Sequence, residues 1–256
     1  MNPERLKTEF DAAFARYHRR ERVHPDPLEF LYRYETVRDR EIAGLVASSL
    51  AYGRVAQILA GVGRVLDALG PSPFEWVMRV PPAERGRALR GFRHRWTTGA
   101  HLDALLSGAR AAIERHGSLG ACFASRWRPR DETVLPAAMA FAEEVGAYLD
   151  EGARHLLPSP RHGSACKRLN LYLRWMVRCD EVDPGGWEAA ATPGLIVPLD
   201  THLWRVATAR GMTRRRQPDL RAALEITAAF RRIAPDDPVR YDFALTRPGI
   251  GINNTL

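Results

Sequence analysis

The sequence predicts an all-α protein. Three observations carry this. Apolar residues recur at helical spacing through most of the chain, Gly and Pro punctuate those stretches, and no run of alternating β-branched residues stands out. "GLIVPLD" (Gly194 to Asp200) is too short for a secure strand and carries Pro198. About eight to twelve helices are expected at this length.

Leu6, Phe10, Phe14 and Tyr17 share one face of a first helix, which "HPDP" (His24 to Pro27) interrupts. "DREIAGLVASSLAYGRVAQILAGVGRVLDAL" (Asp39 to Leu69) reads as one or two helices, with Gly70-Pro71 as the stop. "HLDALLSGARAAIERHG" (His101 to Gly117) and "DETVLPAAMAFAEEVGAYLDEGARHLL" (Asp131 to Leu157) read as further helices. "DLRAALEITAAFRRIA" (Asp219 to Ala234) makes another before Pro235. No internal repeat or low-complexity linker marks a domain boundary.

With 256 residues, 45% of them hydrophobic, the chain can bury a substantial core. No apolar run is long enough for a membrane span, and the charged, amphipathic N-terminus lacks a signal core, so a cytoplasmic location is expected. Cys122, Cys166 and Cys179 have no metal-ligand spacing, which argues against a zinc or iron–sulfur site. The +8 formal charge suits a phosphate backbone as partner, since Arg and Lys neutralise phosphates and release counterions. An Arg-rich bias scattered over an ordinary surface is the plainer alternative.

Only two of the 38 basic residues are lysines, Lys7 and Lys167. Lys167 sits in "HGSACKRLNLYLRWMVR" (His162 to Arg178), after a turn forced by Pro158, Pro160 and Gly163, with Ser164 as a candidate helix cap. Leu169, Tyr172, Leu173, Met176 and Val177 then form a stripe that buries the helix and puts Lys167 in its first turn. A helix N-terminus is a poor place for a cation and a good one for an anion. Arginine cannot replace an amine nucleophile, because its guanidinium does not deprotonate in proteins. A surface lysine that escaped replacement is the bland alternative.

Farther on, "IVPLDTHLWRVATARGM" (Ile196 to Met212) places Asp200 or Thr201 at the start of a helix through Leu203, Trp204, Val206 and Ala207. Asp200 is a helix cap on one reading. On the other it is a carboxylate that takes a proton or stabilises positive charge on a sugar. The two are compatible. Thr201 and His202 read as capping or orienting groups.

"VPLDTHLWRVA" (Val197 to Ala207) resembles the segment bearing the catalytic aspartate of the helix-hairpin-helix DNA glycosylases, the endonuclease III and 8-oxoguanine glycosylase superfamily. "LLPSPRHGSACKRLNLYL" (Leu156 to Leu173) is similar to the hairpin before that family's catalytic lysine, and "EIAGLVASSLAYGRVAQIL" (Glu41 to Leu59) more weakly to its early core helix. The turn is longer than the family's Leu-Pro-Gly-x-Gly and keeps one glycine, Gly163; the four-cysteine cluster of many endonuclease III relatives is absent.

The resemblance implies two helical lobes with a DNA-binding cleft, one spanning residues 45–180 and the other 1–44 plus 181–256. It implies that Lys167 is the nucleophile and Asp200 the carboxylate of a glycosylase with AP lyase activity on an oxidised purine. Arg161, His162, Gly163, Ser164, Ala165 and Arg168 would meet DNA phosphates, and Asp242 and Phe243 the everted base. The implied partner is double-stranded DNA with a damaged base, bound by a monomer without cofactor or metal. A non-catalytic DNA-binding module of the same fold is the competing reading, and a Schiff-base enzyme on a small carbonyl substrate a third.

Overall fold

The computed structural model describes residues 3–187 and 189–251, side chains at 189, 190 and 248–251 excepted. Residues 1, 2, 188 and 252–256, assigned above to the second lobe, lie outside the described residues. With 62% helix and 3% strand the protein is all-α.

Helix α1 (Pro3–Tyr17) buries Leu6 and Phe10. A short 3₁₀ turn, Arg20–Arg22, and a 3₁₀ stretch, Pro27–Arg33, capped by Asp26, follow. Residues 39–69 divide into α2 (Val37–Ser49) and α3 (Val55–Leu69), and Gly70 ends α3 at φ 74°, where a side chain would be strained. Next come α4 (Pro73–Arg79), α5 (Pro82–Ala88) and a hairpin of β1 (Arg93–His94) and β2 (Thr97–Thr98). Helix α6 (Gly99–His116) opens on a Thr98 capping box and closes at Gly117. Then follow α7 (Leu119–Ala124), α8 (Leu135–Val145), α9 (Lys167–Val177), α10 (Thr201–Ala209), α11 (Leu220–Arg231) and α12 (Asp242–Gly251).

Two local expectations are corrected. The helix expected up to Leu157 stops at Val145: Gly146 follows, and the Asp150 carboxylate accepts the Ala153 amide at 2.8 Å, closing a turn instead. The hairpin was not foreseen, because two-residue strands leave no periodicity to read.

Helix α2 lies at the centre, packed by α9, the 27–33 stretch, α3, α4 and α6. Gly44 permits the α2–α9 approach: a Cβ there would meet the Tyr172 ring at 3.1 Å. Helix α1 packs on α12, as does α10. Residues 44 and 45 lie inside α2, and the 27–33 stretch packs on α2 and α3. The buried apolar side chains form one continuous core. No helix among the described residues is long and apolar enough to cross a membrane.

Candidate functional site

The turn before Lys167 is fastened residue by residue. The Ser159 hydroxyl accepts the Arg161 amide, and Gly163, at φ 78°, donates to Pro160 O at 2.9 Å. Leu220 N donates to Gly163 O, and Ser164 pairs with Asp219, so this turn lies beside the "TRRRQ" loop (Thr213 to Gln217) leading into α11. The cap of α9 is Cys166, not Ser164. Ser164 Oγ accepts the Cys166 amide at 3.2 Å, while Cys166 itself is left-handed, at φ 45°. A non-glycine residue there costs roughly 1–2 kcal/mol, held here by the buried thiol donating to Pro158 O and by Asn170 donating to Ala165 O. Lys167 is the first residue of α9, and Leu169, Tyr172, Leu173, Met176 and Val177 are buried as the stripe requires.

Asp200 is delivered by an apolar run through the core. Leu195, Ile196, Val197 and Leu199 are buried, and Val197 N donates to Thr227 of α11 at 3.1 Å. Asp200 then caps α10, its Oδ1 accepting the Leu203 amide at 2.8 Å. Its Oδ2 lies 3.7 Å from Lys167 Nζ. One carboxylate thus serves both as cap and as partner of the amine.

Both groups line a cavity of about 170 Å³, and neither is sealed off: Lys167 is 38% and Asp200 22% exposed. Trp175, Arg174, Asp242 and Phe243 line it with them. Arg174 is shared by two buried carboxylates, Asp183 at 3.0 Å and Asp242. Burial pushes Asp242 up to about 6, more than the shared guanidinium can offset. Arg178, one turn on, joins Asp183, Asp237 (2.8 Å) and Asp180 (2.7 Å), and His18 Nε2 reaches Asp180 at 2.9 Å. Burial opposes charge on Asp180, but the His18 hydrogen bond and Arg178 hold its carboxyl well below the usual range. This ionic lattice ties His18, just after α1, to α9 and the start of α12. The sequence held one signal of it, arginines four apart inside an apolar helix.

The expected phosphate-binding residues divide. Arg161, His162, Gly163 and Ser164 are exposed, although Arg161 Nε pairs with Glu143 at 2.5 Å. Ala165 is buried. Arg168 is turned inward: it donates to Ser49 O at 2.7 Å and to His155 O, and lies over the Tyr52 ring. Its geometry braces the fold rather than offering a phosphate contact.

One group among the described residues could hold a metal ion, and spacing did not reveal it: His116, Cys122 and Glu144, with donor atoms within 4.8 Å. Glu144 is already engaged by His116 at 2.8 Å and Arg115 at 3.0 Å, and burial pushes the Cys122 thiol up to about 12.

Residues 26–251 match the family described as "Protein of unknown function (DUF2400)". The chain belongs to that family. No curated protein and no solved structure matches it. The Lys167–Asp200 cavity therefore stands on its own geometry, inside the matched region.

Proposed function

We propose that this protein is a DNA repair glycosylase with AP lyase activity, excising an oxidised purine of the 8-oxoguanine type. In this reading the fold is helix-hairpin-helix glycosylase-like, with two helical lobes around a DNA-binding cleft. A monomer acts in the cytoplasm on double-stranded DNA, without cofactor. The observation that carries the reading is the meeting of Lys167 and Asp200, from separate elements, at the mouth of one cavity.

The target nucleotide leaves the stack, because its glycosidic bond cannot be reached inside the duplex. Asp200 takes the proton from the Lys167 ammonium and steadies positive charge on the sugar. The neutral amine forms a bond to C1′ as the C1′–N bond to the base breaks; the base leaves with that electron pair and takes up a proton. Ring opening gives a protonated Schiff base. Loss of a proton from C2′ and breakage of the C3′–O bond then release the 3′ strand, and water frees the lysine. Asp242 and Phe243, which line the cavity, would meet the base, Asp242 carrying a proton below about pH 6. Arg161, His162 and Ser164, with Arg214 and Arg216 of the adjoining loop, are exposed for the backbone.

Borohydride reduction in the presence of abasic or 8-oxoguanine duplex tests this. A covalent protein–DNA adduct that Lys167→Ala abolishes is expected. DNA binding without an adduct on either duplex leaves a non-catalytic DNA-binding module instead.

A further inference from the structure

The β1–β2 hairpin has a two-residue turn, Arg95–Trp96, set by the pairs Arg93 with Thr98 and His94 with Thr97. Turns of this kind favour glycine where φ is positive, yet Arg95 occupies that position at φ 54°. Its partner Trp96 is 52% exposed, a large apolar side chain about half open to solvent. The base of the hairpin, by contrast, is locked. Tyr52 Oη reaches His94 O at 3.0 Å and Thr97 Oγ1 at 2.6 Å, and His94 Nε2 lies 3.0 Å from Tyr52 O. Thr97 Oγ1 lies 2.6 Å from His155 Nε2. The strain at the tip is thus supported by a rigid foot.

The tip stands next to the Lys167 cavity. Trp96 stacks on Tyr52 at 5.1 Å and 20° between planes, and the Arg168 guanidinium, one residue after the lysine, lies 4.9 Å from the Tyr52 ring centre. Gly53 lines the cavity, and a Cβ on it would lie 3.2 Å from Arg95 Cδ. Charge adjoins the indole: the Arg95 guanidinium lies 4.5 Å from the Trp96 ring centre, Arg54, Arg87, Arg90, Arg93 and Arg95 are exposed, and residues 85–98 contain no Asp or Glu. Aromatic and basic groups interleaved in this way are what stacking on nucleic-acid bases requires, an indole for the base and guanidinium groups for the adjoining phosphates.

We propose that the Arg95–Trp96 turn is a base-stacking element, whose indole stacks on the DNA base bordering the nucleotide everted toward Lys167. The proposal rests on the glycosylase reading for which nucleotide leaves the stack. It names a positioning residue that the lysine–aspartate pair does not provide. Eversion leaves a gap in the stack, and an indole placed there offsets the lost stacking.

The test uses the full chain with two duplexes, one intact and one carrying a tetrahydrofuran abasic analogue beside 2-aminopurine. Wild type should prefer the abasic duplex and quench 2-aminopurine on binding. Trp96→Ala should lose the quenching and about tenfold in affinity for that duplex, Trp96→Phe less. Trp96→Ala should also lower the ratio of adduct formed on abasic duplex to adduct formed on abasic single strand. Equal quenching and affinity in wild type and Trp96→Ala overturn the proposal while leaving Lys167 untouched. Trp96-dependent quenching with no adduct from wild type on any abasic strand overturns the lysine chemistry and keeps the stacking element. Trp96-dependent binding to phosphatidylglycerol vesicles with no response to DNA assigns the tip to a membrane surface and overturns it.

Discussion

Replacing Asp200 with Asn separates its two duties. Oδ1 caps α10 through the Leu203 amide at 2.8 Å, and Oδ2 faces Lys167 at 3.7 Å. Asparagine caps a helix about as well as aspartate, so the cap survives in Asp200→Asn and is lost in Asp200→Ala at about 1 kcal/mol. At 3.7 Å the charge pair is worth about 1 kcal/mol in water-like surroundings and about 4 kcal/mol at an effective dielectric of 20. With both groups partly exposed, the lower figure applies. Asp200→Asn should therefore lose up to about 1 kcal/mol and Asp200→Ala about 2 kcal/mol, a fall in Tm of roughly 4–8 °C for the latter. Adduct formation should fall by about 10²–10⁴ in both, because both lose the proposed proton acceptor. Thermal unfolding read beside single-turnover borohydride trapping measures the two effects on one preparation. An Asp200→Asn protein that traps abasic DNA at the wild-type rate would reduce Asp200 to a helix cap.

Arg174→Met leaves Asp183 and Asp242 without their shared cation and should cost about 3–5 kcal/mol in urea unfolding; a loss below about 1 kcal/mol would contradict the ionic lattice. The buried Asp242, whose carboxyl rises from the ordinary 3.8 to about 6, stabilises the fold in its protonated form. That contribution is complete below pH 4 and is lost as pH rises through 6, so wild type should lose up to about 3 kcal/mol relative to Asp242→Asn between pH 4 and pH 7. Urea titrations across that range check the sign, and an opposite slope would show that Arg174 dominates.

Much of the site's local structure was legible in the sequence. The α9 stripe, the first-turn position of Lys167 and the Asp200 cap follow from side-chain spacing and from Pro198, which are local causes. The approach of Lys167 to Asp200 is tertiary and came into view only through a resemblance in two short segments. The Arg174–Asp183–Arg178 lattice was missed because arginine in a helix reads as surface until its carboxylates are placed around it. Cys166 as the left-handed cap had no signal, since Gly or Asn is the usual occupant of that conformation. Arg168 shows the converse: a basic residue beside Lys167 looked free for phosphate, but its hydrogen bonds go to Ser49 O and His155 O.

The scarcity of lysine makes the central claim open to a single measurement. Lys7 and Lys167 are the chain's two lysines, so peptide mass spectrometry of the borohydride-reduced adduct with abasic duplex has few candidate amines to separate. The sugar remnant is expected on the peptide carrying Lys167, and Lys167→Arg should yield no adduct although its positive charge is kept. A remnant on Lys7 or on the N-terminal amine, or an undiminished adduct from Lys167→Arg, would contradict the account.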